Sequence, residues 1–332
     1  MKLKSDARCA VIGYGSWATT IVGVLTQNGR HVNWHVRNRE VLEGILEDGH
    51  NPKYVRDMEL NTSLLTLSDD INKIVRESDL VILCTPSAYL KDYLEDLTEP
   101  LADKVVFSAI KGIIPGDYVT ILEYLRNRYG VPMGQLGLIS GPTHAEEVSR
   151  GRLSYLTAAG GSDENNKTFA GMLANKNLII NTSTDLLGIE YAAILKNIYA
   201  IAAGIASGLG YGDNFLAVLI SRCVQEMKHF LMEAFPCERN ITERAYLGDL
   251  LVTCYSQFSR NRRFGSLIGR GFTVKSAMNE MTMIAEGYFA ANCIKKVNVG
   301  KGIEMPVADM VYKVLYEDAR PRRAMNELSK LL

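Results

Sequence analysis

Near its N-terminus the chain runs through an apolar segment, Cys9–Ile12, straight into Gly13-Tyr14-Gly15-Ser16-Trp17-Ala18, and a helical pattern follows. A strand that ends in G-x-G-x-x-A and opens a helix is the turn on which α/β sheets receive a dinucleotide. Gly13 permits the tight turn. Gly15 lets backbone N–H groups come close to a pyrophosphate at the helix N-terminus, and Ala18 is small enough for the helix to pack on the strand. A bare strand–helix turn can carry the same string, but this one has both the strand before it and the helix after it.

The pattern around the turn extends the reading. Apolar runs at Cys9–Ile12, His31–Trp34, Leu80–Cys84, Val105–Ala109, Leu136–Ser140, Ser154–Ala158 and Leu178–Asn181 read as strands. Several are continuous rather than alternating, as expected when helices cover both faces of a sheet. Helical patterns such as Trp17–Asn28 and Val41–Asp48 separate them, which predicts a doubly wound, Rossmann-type parallel sheet. After about Asp185 only helical patterns remain: Glu190–Leu209, Phe215–Ala234, Tyr246–Cys254, Thr273–Asn279, Ile284–Val297 and Pro306–Tyr316. The expected division is an α/β nucleotide-binding domain over 1–188 and an all-helical substrate and catalytic domain over 189–332. A length of 332 residues agrees with two domains of roughly 150 residues each.

Lysine plus arginine number 37, and aspartate plus glutamate also 37. That balance argues against a nucleic-acid partner, which calls for a basic excess. The six cysteines, Cys9, Cys84, Cys223, Cys237, Cys254 and Cys293, form no C-x-x-C pair, so neither a zinc site nor a redox dithiol is indicated. Their scatter fits a reducing compartment, hence the cytoplasm. The polar Met1–Asp6 start has no signal-peptide core. The uncharged stretch Asn197–Gly212 falls short of the roughly 20 strongly apolar residues of a membrane span, so it reads as a buried helix.

At the second strand an NAD site usually ends in an acid for the ribose hydroxyl. Here His35-Val36-Arg37-Asn38-Arg39 offers arginines instead, which can accept a 2′-phosphate or serve as solvated loop charges. Lys196 lies in an apolar helical run, with Ala192, Tyr199, Ala200 and Ala203 on its face. Either its stem snorkels to water or the ammonium has a buried partner and a task. Lys111 closes a strand at its carboxyl end, where ligands bind in such sheets, unless it is a loop lysine. Asp249 precedes an apolar run and reads equally as a helix N-terminal charge. Ser259-Arg260-Asn261 offers a hydroxyl, a guanidinium and an amide suited to phosphate, or forms a basic loop. His144, Glu146 and Glu147 lack metal-ligand spacing and read as surface or capping groups.

Together these strings resemble the bacterial NAD(P)-dependent glycerol-3-phosphate dehydrogenase family. The resemblance runs through GYGSWAT at 13–19, AIKGI at 109–113, SGPTHAEEV at 140–148, LKNIYAIAAG at 195–204, GDLLVTC at 248–254, SRN at 259–261 and AEGY at 285–288, in family order. It implies reversible hydride transfer between NADPH or NADH and a phosphorylated triose, dihydroxyacetone phosphate becoming sn-glycerol 3-phosphate for glycerophospholipid synthesis. It implies no metal, and a helical domain resembling the 6-phosphogluconate dehydrogenase C-terminal fold. Lys196 would be the proton donor and acceptor, helped by Lys111 and Asp249. Gly141, Thr143, Ser259, Arg260 and Asn261 would line the substrate together with both lysines and Asp249. Gly13, Gly15, Ser16, Trp17, Ala18, Arg37, Tyr54, Lys111, Ala145, Arg260, Ile284 and Glu286 would contact the cofactor.

For proton exchange in both directions the Lys196 pKa should lie below the usual value of about 10.4, pushed down by burial and by Lys111. The sequence departs from the family at Ala18 (usually glycine), at Tyr246 (often glycine) and at Ala285 (commonly valine). The apolar helical half leaves room for a homodimer. Two other readings use the same fold: a dehydrogenase of the same plan acting on another hydroxy acid, and a catalytically silent dinucleotide sensor, which could dispense with Lys196, Asp249 and Arg260.

Overall fold

The computed structural model describes residues 1–281, 283 and 285–332. Strands are β1 (Cys9–Ile12), β2 (Val32–His35), β3 (Leu65–Ser68), β4 (Leu80–Leu83), β5 (Val105–Ser108), β6 (Ile113–Ile114), β7 (Val119–Thr120), β8 (Leu136–Ser140), β9 (Ser154–Gly160) and β10 (Leu178–Ser183). The chain divides into two compact units, one of Met1–Ile110 with Ile121–Leu186, the other of Lys111–Thr120 with Leu187–Leu332. The ten residues after Ile110 thus belong with the helical half, which no sequence pattern announced.

The first unit holds a sheet in the order β10-β9-β8-β5-β4-β1-β2-β3. β1 and β4 (CAVI and LVIL) are buried at every position, which explains their unbroken apolar character. The sheet order reverses between β1 and β4, so the loop after β1 opens at the topological switch point where such sheets bind ligands. Two features differ from the sheet expected. β3 is an extra edge strand whose four residues are all half-buried. β9 runs antiparallel to β8, so the chain returns without crossing the sheet. The connection, with its short helix Ala145–Ser149, therefore stays at the carboxyl end of β8.

In the second unit β6 and β7 form a small antiparallel hairpin beside the helices. Its core helix, α1 in the numbering used here (Leu186–Gly208), has a mean hydropathy of 1.4 and is apolar because 94% of that stretch is buried in protein. The segment Arg260–Gly269 (α2), open to a loop reading in the sequence, is a helix whose buried face includes Phe264, Gly265 and Ile268. It crosses α1 at backbone distance. A Cβ on Gly265 would stand 2.2 Å from the Ile201 carbonyl oxygen, and one on Gly204 would stand 2.1 Å from that of Arg262. Neither backbone can yield cheaply in a close-packed interior. Gly265→Ala should cost about 1–3 kcal/mol as an overpacking substitution, read as a lowered thermal midpoint. An unchanged midpoint would contradict this helix crossing.

Candidate active site

Lys196 sits in the middle of α1, and Ala192, Tyr199, Ala200 and Ala203 on its face are all buried. The side chain is 6% exposed, so the ammonium does not snorkel to water. It has the partner that burial demands: Lys196 Nζ donates to Asp249 Oδ1. The other carboxylate oxygen, Oδ2, accepts from Lys111 Nζ at 3.1 Å. Asp249 is 1% exposed and Lys111 22%. Asp249 opens the helix Asp249–Tyr255, directly after a π-helical turn over Arg244–Gly248 in which Tyr246 is buried. Tyr246, the departure from the family pattern, therefore packs into the fold.

The electrostatics follow from this geometry. Burial is the largest influence on Lys196 and favours its neutral form; Asp249 pulls the other way and Lys111 adds to the fall, leaving the amine lowered from 10.5 to about 7. For Asp249 burial alone would raise the pKa, but the ammonium groups of Lys111 and Lys196 outweigh it and hold the carboxyl below its ordinary value. The downward shift expected for Lys196 is present, with the two causes anticipated for it.

A chain of buried amides braces the cluster. Asn197 Nδ2 donates to the Lys111 carbonyl at 2.9 Å. Asn261 Nδ2 donates to Asn197 Oδ1 at 2.9 Å, and Asn261 Oδ1 accepts from the Gly287 N–H at 2.9 Å. Asn261, expected against substrate phosphate, thus also links α2 to the start of the helix Glu286–Asn298, where Glu286 lies. Asn197 escaped the sequence reading, although the cost that flagged Lys196 applies equally to an amide in the same apolar run. Ser259 caps α2 by accepting from the Arg262 N–H, and Arg260 follows it, exposed and in no ion pair with a described residue. Ile284 lies outside the described residues.

In the first unit Gly13 takes φ +113°, and a Cβ there would stand 2.6 Å from the Cys84 carbonyl oxygen, so no side chain fits. Trp34 Nε1 donates to Gly13 O at 2.7 Å, and Asn51 Nδ2 donates to Tyr14 O at 2.9 Å and to Thr19 Oγ1 at 2.8 Å. Asn51 Oδ1 also accepts from the Tyr54 N–H, and the Tyr54 ring stands 6.3 Å from that of Tyr14. The helix Ser16–Gln27 carries neither a capping side chain nor an acid in its first turn, and a Cβ on Gly15 would meet nothing within 4 Å. Its leading amides, at Ser16 and Trp17, therefore receive no side-chain cap, and the bare Gly15 leaves room beside them, which fits a pyrophosphate. Ala18 is fully buried behind them.

Gly141, at φ +130°, turns the chain after β8, with its carbonyl accepting from the Thr143 N–H; Ala145 O accepts from Thr20 Oγ1 of the glycine-loop helix. Arg37 is exposed beyond β2, whereas Arg39 is paired with Glu43. Glu146 and Glu147 lie in the first turn of Ala145–Ser149, and among the described residues no three His, Cys, Asp or Glu side chains gather as metal ligands.

A glycine turn at a sheet switch point and a buried lysine–aspartate–lysine cluster define a class, the dehydrogenases that use a nicotinamide dinucleotide. Comparison gives the family. The profile of the NAD-dependent glycerol-3-phosphate dehydrogenase N-terminus matches residues 8–167, and that of its C-terminus residues 185–326. Glycerol-3-phosphate dehydrogenases (NAD(P)+) from Thermotoga sp. (strain RQ2) and Chlorobium limicola are each 32% identical, over 97% and 96% of both chains respectively. The crystal structure of glycerol-3-phosphate dehydrogenase from Coxiella burnetii superposes with a TM-score of 0.89 at 27% identity, covering 98% of this chain and 99% of that one. The chain belongs to the NAD-dependent glycerol-3-phosphate dehydrogenase family.

Removing the shared anion should leave the buried Lys196 amine without the carboxylate it is held on. At pH 6, where Lys196 is charged in the wild type, Asp249→Ala should cost about 3–5 kcal/mol in a urea unfolding titration, since the amine must then either stay charged and unpaired or give up its proton. Adding Lys196→Met should recover much of that. Unchanged stability in the single variant would contradict the shared ion pair.

Proposed function

We propose that the chain catalyses the reversible reduction of dihydroxyacetone phosphate to sn-glycerol 3-phosphate with NADPH or NADH. The observation that carries this reading is the buried Lys196 amine held on Asp249 beside Lys111, in a chain of this family. The nicotinamide, when bound, supplies or receives the hydride. The protein's part is to bind, orient and move one proton.

In the reducing direction negative charge grows on the C2 oxygen of the substrate. Protonated Lys196 donates a hydrogen bond to that oxygen and then gives up its proton. In the oxidising direction the neutral amine accepts the proton of the C2 hydroxyl. Asp249 aims the Lys196 nitrogen, and Lys111 supplies a second positive charge that keeps the amine a weak enough base to let the proton go. Arg260 offers an exposed guanidinium fork for the substrate phosphate, with Ser259 and Asn261 at the same helix start. Gly141 and Thr143 contribute the remaining substrate contacts. The amides behind Gly13 and Gly15, with Ser16, Trp17, Tyr54, Ala145 and Glu286, hold the dinucleotide, and Arg37 meets its adenosine end.

A silent sensor has no use for a buried amine paired in this way. The same reading takes 1–188 as the cofactor domain and 189–332 as the substrate domain, with 111–120 counted in the helical unit. It places the reaction in the cytoplasm, at the entry to glycerophospholipid synthesis, in a homodimer. Exposed apolar side chains on the helical unit, such as Leu251, Tyr255 and Phe258, support the last point.

Loss of NADPH or NADH absorbance on adding dihydroxyacetone phosphate tests the activity. Lys196→Ala should lower kcat by about 10²–10⁴ while still binding cofactor, and wild-type turnover in that variant would refute the proton role. The pH dependence has a definite sign. With Lys196 at about 7, oxidation of glycerol 3-phosphate, which needs the neutral amine, should weaken as pH falls below that value. Reduction, which needs the ammonium, should weaken as pH rises above it. A kcat for oxidation that rises on acidification through neutral pH would contradict the assignment.

A further inference from the structure

Arg37 is the basic side chain left available at the end of β2. Arg39 is paired with Glu43 and Lys53 with Glu40. The Asn38 side chain is engaged in capping the helix Arg39–Asp48, where it accepts from the Val41 N–H. The segment His35-Val36-Arg37-Asn38 contains no acid to receive a ribose 2′-hydroxyl. Arg37 forms no ion pair with a described residue. Its guanidinium carbon instead lies 3.8 Å from the ring centroid of Tyr93.

Tyr93 is a built platform rather than a passing surface ring. It is 8% exposed and ends the short helix Leu90–Tyr93. The His35 ring meets it nearly edge-on, with centroids 6.3 Å apart and planes at 84°. The Tyr14 ring, from the glycine loop itself, stands 6.4 Å away. The ring is thus fixed by the strand that leads to Arg37 and by the loop behind which the pyrophosphate amides lie.

A guanidinium stacked on an aromatic face keeps its in-plane N–H edge free, and that edge is the one that grips a phosphate bidentately. The stack also removes rotamer freedom that a lone arginine would lose on binding. Building on the dehydrogenase reading above, we propose that Tyr93 is a positioning residue for cofactor choice: its ring holds Arg37 ready for the 2′-phosphate of NADPH, so that the chain favours NADPH over NADH.

The test separates the 2′-phosphate from the rest of the ligand. Adenosine 2′,5′-bisphosphate and adenosine 5′-monophosphate differ in that group alone, and both are titrated calorimetrically into the full chain. Wild type should bind the bisphosphate more tightly. Tyr93→Leu keeps an apolar side chain but loses the π face, and should weaken the bisphosphate by about 2–30-fold while the monophosphate does not follow. Tyr93→Phe should restore the difference. In Arg37→Ala the difference should vanish, and adding Tyr93→Leu should take nothing further from it. In steady-state assays Tyr93→Leu should raise KM for NADPH without a matching rise for NADH.

Equal binding of the two probes by wild type would overturn the inference and leave the dehydrogenase reading standing. So would an equal loss of both probes in Tyr93→Leu, or failure of Tyr93→Phe to rescue. A wild type that binds neither probe and oxidises neither cofactor would remove the dehydrogenase reading itself, and this inference with it.

Discussion

One carboxylate between two ammonium groups organises the helical unit. Asp249 spends one oxygen on Lys196 and the other on Lys111, with almost no water to share the charge. In such a place an isolated ion is expensive, and the three groups together are tolerable because each is partnered. The arrangement carries one net positive charge at neutral pH when Lys196 is protonated and none when it is not. That small difference is what allows an amine to exchange a proton near neutral pH. The surrounding architecture serves this constraint. α1 carries Lys196 into the core, the π-helical turn Arg244–Gly248 leads into Asp249, and the amide chain from Asn261 through Asn197 holds the Lys111 carbonyl.

The glycine turn of the first unit depends on a similar economy of contacts. Gly13 is held from one side by the indole of Trp34, and the Tyr14 carbonyl by the amide of Asn51. Both clamps use side chains that are fully buried, so the turn is set by the core as well as by its own glycines. The result is a loop held by the core at the uncapped start of the helix Ser16–Gln27. The return of the chain from β8 to β9 without crossing the sheet keeps Gly141, Thr143 and Ala145 at the carboxyl end of β8, and Ala145 reaches the glycine-loop helix through Thr20.

What the sequence disclosed followed the size of the physical penalty attached to each feature. The glycine turn was legible because few residues tolerate its backbone. Lys196 was legible because a charge in an apolar helix needs a reason, and the strands β1, β4 and β5 because burial on both faces leaves unbroken apolar runs. β3, with Leu65-Thr66-Leu67-Ser68, was not, since an edge strand is half-buried and its polar residues interrupt the pattern. α2 opens with Arg260-Asn261-Arg262-Arg263 and packs through glycines, so its buried face carries little hydrophobic signal. The roles of Trp34, Asn51 and Asn197 depend on partners far along the chain, and the three-way sharing of Asp249 joins residues 138 and 53 positions apart. Local patterning does not encode such meetings.

The most direct measurement is an NMR titration of the Lys196 side-chain amine, with the signal assigned by its loss in Lys196→Met. A midpoint near 7, far below the ordinary lysine value of 10.5, is the result this account requires. A midpoint at the ordinary value would mean that burial and Lys111 do not outweigh the pull of Asp249, and the amine would not exchange its proton near neutral pH as this account requires.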